Sequence, residues 1–177
     1  MDLFEQKEVL DSFRIIVDTR EKETPQARRR YHAFEVPYDR ATLSYGDYAY
    51  NCTLANGEPL YDESETLAPV CVVERKMSLD ELAGCLGRTR GRFEREFDRA
   101  LAAGSKVFLI VEGATWEDLL TGKYRSKLHP NAFAASIATF MVRYGVNVIF
   151  CKAETSGRLI KEILYRDLKE RLKNGEI

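Results

Sequence analysis

An α/β fold, with a mixed central β-sheet flanked by α-helices, is what this 177-residue sequence predicts. Two observations carry that reading. Short apolar runs rich in β-branched and aromatic residues, such as FRIIVD near the start and KVFLIV in the middle, read as strands. Beyond residue 78 such runs alternate with longer stretches whose apolar residues recur at helical spacing. Strands that open the chain, followed by helices alternating with strands, argue for a mixed sheet. The length suits one domain over residues 1–177, with its core at about 13–151 and a helix at about 155–173.

The elements follow in order. Phe13 to Asp18 is the first strand. After a charged loop, Ala33 to Tyr38 and Leu43 to Tyr50 are strand-like, with aromatics and alternation. Asn51 to Pro69 holds Asn56-Gly57 and Pro59, and reads as a hairpin turn or a long exposed loop. Val70 to Lys76 is a strand. Ser78 opens a helix, with Glu81 at capping-box spacing and Leu79, Leu82, Ala83 and Leu86 on its buried side. Gly84 and Gly87 mark its end or a close approach. A second helix runs from about Gly91 to Ala103 on a stripe of Phe93, Phe97, Ala100 and Leu101. Lys106 to Val111 is a buried strand, Trp116 to Leu120 a short helix, and Lys123 to Pro130 a basic loop. Asn131 to Tyr144 is a helix with Phe133, Ile137, Phe140 and Met141 inward, and Val146 to Cys151 is another buried strand. Thr155 to Lys173 closes the order as a long amphipathic helix.

Composition excludes several classes. With 45% hydrophobic and 31% charged residues the chain fits a soluble globular protein, not a disordered one. No apolar run reaches membrane-span length, and the acidic start MDLFEQKEVLD is no secretory signal, so an intracellular location is expected, the nucleus if the source is eukaryotic. The four cysteines form no CxxC pair and lie at no zinc spacing with His32 or His129. His129, before Pro130, reads as a helix start. A net charge of −1 argues against an indiscriminate polyanion binder, yet the positive charge is clumped. Arg20, Lys22, Arg28, Arg29 and Arg30 form one cluster; Arg88, Arg90, Arg92, Arg95 and Arg99 form another. Arg92, Arg95 and Arg99 share an outward helix face, which Glu94, Glu96 and Asp98 would also allow to be ordinary solvated surface.

The end of the Val70–Lys76 strand poses the chemical question, because Glu74, Arg75 and Lys76 follow Cys71, Val72 and Val73 without a gap. Charges at the end of a core strand cost free energy unless they are paired, solvated or holding an ion. Alternation puts Glu74 and Lys76 on one face and Arg75 on the other. A second carboxylate from a neighbouring strand, about 4 Å away, would repel Glu74 by roughly 4 kcal/mol at an effective dielectric of about 20. A hard divalent cation removes that penalty, and magnesium needs only two or three carboxylates beside its waters. Its bound water becomes a nucleophile, and it neutralises charge on a phosphoryl group. Asp47 in a Gly-Asp-Tyr kink, Asp18 at the end of the first strand with Glu21 beyond it, and Asp80 at a helix start are the candidate partners. Each also has an ordinary structural reading: a turn residue, a turn cap, and a complement to the helix dipole.

Val73-Glu74-Arg75-Lys76, followed after three residues by Asp80, resembles the V-E-R-K-x-x-x-D signature of XPF-type structure-selective endonucleases. The resemblance takes in IIVDTRE and GDY upstream and RGRFEREFDRAL downstream, roughly Arg14 to Cys151. It implies a restriction-endonuclease-like core of the PD-(D/E)xK kind that hydrolyses DNA phosphodiester bonds with Mg2+ or Mn2+, at branched or flap structures, in repair, recombination or phage DNA processing. By position it implies Asp47 and Glu74 as metal ligands, Lys76 as the catalytic lysine, Asp18 completing the acidic pocket as a further ligand, and Asp80 supporting the site. Glu21 is a weaker member, and Arg75 anchors the site by an ion pair. Relatives carry a tandem helix-hairpin-helix module for which this chain leaves no room after its last helix, so DNA contact falls to the arginine face, Lys123, Arg125 and Lys127. Recognition by DNA shape is expected, since no major-groove reading helix is evident. A homodimer through an apolar face, or a partner protein, would add contact area. A non-catalytic DNA-binding scaffold subunit is the alternative, although such subunits usually lose the acids kept here.

Overall fold

The computed structural model describes residues 2–177. Six strands make one sheet: β1 (Arg14–Asp18), β2 (Tyr38–Ala41), β3 (Tyr48–Asn51), β4 (Cys71–Lys76), β5 (Lys106–Glu112) and β6 (Asn147–Cys151), in the order β2-β1-β3-β4-β5-β6. β3 runs antiparallel to both β1 and β4, and the other neighbours are parallel, so the sheet is mixed. The helices are α1 (Leu3–Asp11), α2 (Pro25–His32), α3 (Leu79–Leu86), α4 (Arg90–Ala102), α5 (Trp116–Leu120), α6 (Pro130–Tyr144) and α7 (Ala153–Asn174).

The pleat of the sheet sorts its side chains into two cores. Ile16, Ala49, Val72, Leu109 and Val111 pack beneath α3, α4 and α6, against Leu82, Phe93, Phe97, Phe133 and Phe140. Ile15, Val17, Tyr48, Val73 and Ile110 pack on the other face, against Ala27 and Tyr31 of α2 and Ile160, Leu164 and Leu168 of α7. β4 is apolar on both sides because it lies inside the sheet with helices above and below. Asp167 of α7 fastens the far end, accepting from the Tyr50 hydroxyl at 3.0 Å and pairing with Lys106 and Arg171.

Several segments differ from the sequence reading: α1 precedes the first expected strand, and of the expected strand Leu43 to Tyr50 only the part from Tyr48 on belongs to β3. Of the expected strand Ala33 to Tyr38 only Tyr38 is in a strand, as the first residue of β2; residues 33–37 are the turn between α2 and β2, and the charged loop before them holds α2. Thr24 caps that helix through the Ala27 N–H, and Pro25 starts it. Gly157 of α7 leaves room for it, since a Cβ there would stand 2.4 Å from the Arg30 carbonyl oxygen. Met141 faces solvent, and Tyr144 takes the inward position on α6. β6 is half-buried, because it ends the sheet and has a neighbour on one side only. Among the described residues no helix is long and apolar enough to cross a membrane.

Candidate active site

Three strand ends meet at one edge of the sheet. β1 finishes at Asp18, Asp47 immediately precedes β3, and Glu74 to Lys76 close β4. Ladder bonds set them side by side: the Asp18 N–H donates to the Asp47 carbonyl and the Asp47 N–H to the Val73 carbonyl, both at 2.9 Å. Asp18, Asp47 and Glu74 each lie two residues from a side chain of the α3/α4/α6 core (Ile16, Ala49 and Val72), so all three carboxylates leave the same face. Gly46 makes this possible. It sits at φ +76°, and a Cβ on it would stand 2.7 Å from the Cβ of Val72. Only glycine lets the chain press against β4 there and then turn Asp47 into the ladder.

These carboxylates open into a cleft of about 220 Å³. Asp18, Arg20, Glu21, Asp47, Glu74 and Lys76 line it from the sheet side; Cys85, Thr89, Arg92, Phe93 and Glu96 close it from α3, α4 and the turn between them. Arg20 reaches back to the buried Asp18, donating from Nε at 2.6 Å, and steadies itself on the Leu43 carbonyl at 2.9 Å. Lys76 pairs with Glu74 at 2.5 Å and lies 5.2 Å over the Phe93 ring. Asp47 accepts the Arg75 backbone N–H on Oδ2 at 2.7 Å. Burial pushes the Asp47 carboxyl well above the usual aspartate range, and neighbouring Glu74 pushes it further. Burial likewise raises Glu74, against the pull of Lys76. Burial by itself would lower Lys76, but Glu74 and Asp47 outweigh it and hold the ammonium protonated.

This donor set suits a divalent cation. Asp47 and Glu74 are crowded acids whose Oδ1 and Oε2 take no hydrogen bond from the described residues. No three His, Cys, Asp or Glu side chains among those residues are grouped tightly enough to hold a metal ion by themselves. Two carboxylates completed by water is the arrangement magnesium tolerates best. Asp18, expected with them, faces the same cleft but is engaged by Arg20.

Behind the cleft, on the α2/α7 face, lies a buried ion network. Glu112 is 1% exposed and takes both Arg30 of α2, at 3.1 Å, and Arg75 of β4, at 3.2 Å. Arg75 also reaches Glu21 at 3.5 Å, and the Tyr48 hydroxyl joins Glu21 to Arg30. Arg75 therefore does turn away from Lys76 and anchors an ion pair. Through Glu21 the network touches the cleft.

Other expected residues are dispersed. Asp80 does not line the cleft; it sits in the first turn of α3 and bonds the loop at Arg125 and Ser126. Of the arginine cluster, Arg92 lines the cleft, and Arg95 is exposed on the same helix without lining it. Arg88 lies in a separate groove, Arg90 pairs with Glu94, and Arg99 donates to the Ser44 carbonyl. Sequence reasoning overlooked Arg20, Glu96 and Cys85 as cleft residues, and Arg30, Tyr48 and Glu112 as its support. Arg20 alone carried a signal, two residues after Asp18.

The family model described as the ERCC4 domain matches residues 17–163. The chain belongs to the ERCC4 domain family. The XPF-type resemblance of the signature residues thus holds, and the ERCC4 family is one of DNA nucleases. XPF from Aeropyrum pernix shares the fold, at TM-score 0.58 and 24% identity over 87% of this chain and 61% of that one. The same protein solved in complex with DNA gives 0.60 and 24% over 90% and 66%. A Methanocaldococcus jannaschii protein described as an ATP-dependent RNA helicase is 29% identical over 162 residues. That match takes in 89% of this chain but 16% of that relative, so the matched region is a small part of it.

Proposed function

We propose that this ERCC4 domain is a divalent-metal-dependent endonuclease that hydrolyses DNA phosphodiester bonds at branched or flapped structures. The observation that supports it most is the convergence of Asp47, Glu74 and Lys76 on one face at one cleft. In this reading Asp47 and Glu74 hold Mg2+ or Mn2+, and Asp18 and Glu21 complete the acidic rim. When bound, the ion supplies an activated water and neutralises charge on the phosphoryl group. Lys76, which lines the same cleft, stabilises the charge that builds on the scissile phosphate. Arg20 sits where it can meet a second phosphate oxygen if Asp18 releases it. Exposed Arg92 and Arg95 contact the backbone of the entering strand, which makes binding salt-dependent and blind to base sequence. Among the described residues no helix is marked out to read a major groove, so in this reading strand geometry selects the substrate.

The test is cutting of a labelled 3′-flap DNA, beside matched linear and junction DNA, with and without magnesium or manganese, wild type against Glu74→Ala. Metal-dependent cutting lost in the variant is expected, with the flap preferred. Equal cutting of linear duplex would remove structure selectivity. DNA binding with no cutting in any metal would turn the reading to a scaffold subunit.

A further inference from the structure

A second concave surface lies on the other side of α3 from the cleft, and nothing in the active-site chemistry uses it. It is a groove of about 760 Å³ bordered by Gly84, Gly87 and Arg88 on one bank and by Arg125, Ser126 and Lys127 on the other. Nothing stands within 4 Å of where a side chain on Gly84 would project, so the groove floor there is bare backbone. The groove and the cleft share the α3–α4 junction. Gly84 and Arg88 face the groove while their chain neighbours Cys85 and Thr89 face the cleft.

The loop on the far bank is built to show cations. Along Lys123 to His129 exposure alternates: Lys123, Arg125, Lys127 and His129 are exposed while Tyr124, Ser126 and Leu128 are half-buried. The inward side is fastened. The Tyr124 ring meets Phe133 edge-on at 5.3 Å, its hydroxyl donates to the Leu128 carbonyl at 2.7 Å, and the Ser126 hydroxyl accepts the Leu128 N–H. Asp80 supplies the remaining anchor. Its Oδ1 accepts the successive N–H groups of Arg125 and Ser126 at 2.8 and 2.7 Å, and Oδ2 meets Arg125 Nε at 3.3 Å. The carboxylate grips backbone, while the Arg125 side chain stays 93% exposed. Arg125 and Lys127 on one bank and Arg88 on the other face a bare-backbone floor, which matches the charge and the smooth profile of a sugar-phosphate strand; Lys123 pairs with Asp118 outside the groove.

We infer that this groove carries the phosphate backbone of a DNA arm beyond the cut position, and that Asp80 is a positioning residue that holds the Lys123–Lys127 loop as its wall. The inference rests on the DNA reading above and deepens it: the DNA crosses the α3–α4 junction, with the scissile phosphate on one side and the gripped arm on the other.

The experiment measures metal-free binding of the full chain to a labelled flap DNA across a salt series. Each lost phosphate contact lowers the slope of log K against log salt by about 0.9, so Arg88→Ala/Lys127→Ala should lower it by about 1.8. Lys7→Ala/Lys169→Ala, on exposed residues of α1 and α7, removes equal charge elsewhere and should leave the slope as in wild type. Asp80→Ala frees the loop and should lower the slope in the same direction. Asp80→Asn keeps an oxygen that can accept both N–H groups and should restore it. A wild-type slope in Arg88→Ala/Lys127→Ala overturns the groove while leaving the nuclease reading standing. An equal loss in Lys7→Ala/Lys169→Ala also overturns it, since overall charge would then explain the effect. Asp80→Ala that binds as wild type but no longer cuts moves Asp80 to the reacting phosphate. Wild type that binds no DNA at any salt overturns both readings together.

Discussion

Glu112 is the residue on which the back of the site depends, and Glu112→Ala is the perturbation that measures it. One carboxylate, 1% exposed, holds two guanidinium groups, Arg30 with a side chain 2% exposed and Arg75 at 10%. Its removal leaves two buried cations. Arg75 keeps Glu21, but at 3.5 Å and toward the cleft; Arg30 keeps only the hydroxyls of Tyr48 and Ser156. Breaking a buried pair by deleting one partner costs about 3–5 kcal/mol. Loss of both pairs at once puts the expectation at the upper end, with the Glu21 contact holding it below a doubling. At about 2–4 °C per kcal/mol for a domain of this size, the melting temperature should fall by roughly 8–20 °C. Urea unfolding at 25 °C, with midpoint and slope both fitted, gives the free energy directly. A loss below about 1 kcal/mol would refute the reasoning, because it would mean that water reaches the guanidinium groups and the network is not buried in solution.

Two further outcomes follow from the cleft. Asp47→Asn should abolish cutting and yet stabilise the metal-free protein at neutral pH. The folded state raises the Asp47 pKa above its ordinary 3.8, so this group favours folding most at pH below that value, and the advantage is lost as pH rises through the folded-state value. Unfolding followed from pH 4 to 8 should therefore show a smaller decline in Asp47→Asn than in wild type; parallel curves would place Asp47 in open water. Gly46→Ala should cost about 1–3 kcal/mol, since its φ is +76° and its methyl would meet Val72 at 2.7 Å, and cutting should fall with it as Asp47 shifts. Wild-type stability in that variant would show that the close approach of Gly46 to β4 is not required.

Much of the frame was legible because apolar side chains announce it. β1, β4 and β5 are runs of Val, Ile and Leu, and α4, α6 and α7 repeat their apolar residues at helical spacing. The convergence of Asp18, Asp47 and Glu74 was also accessible, since strand ends gather where neighbouring strands stop together. α2 was not. Its inward side is Ala27, Arg30 and Tyr31, and a buried arginine looks identical in sequence to a solvated one until Glu112 appears 82 residues later. The partners of Asp80 were hidden for the same reason: they are backbone amides 45 and 46 residues away, which no residue type reveals. Alternation located Arg75 correctly because side-chain parity along a strand is purely local.

The charges that end β4 also decide how the strand is aligned. Val72 and Val73 are both fully buried, one on each face, so the apolar half of the strand would accept a shift of one residue almost without penalty. Glu74, Arg75 and Lys76 would not. A one-residue slip would swing a carboxylate into the enclosure of Glu112 and an arginine into the acidic cleft, setting like charges together behind the sheet. The three side chains that line and brace the cleft thus act as a key that fits the sheet in one alignment. Length changes at the exposed tip, residues 55–58, can be absorbed before that key engages; a single deletion inside Cys71–Lys76 cannot.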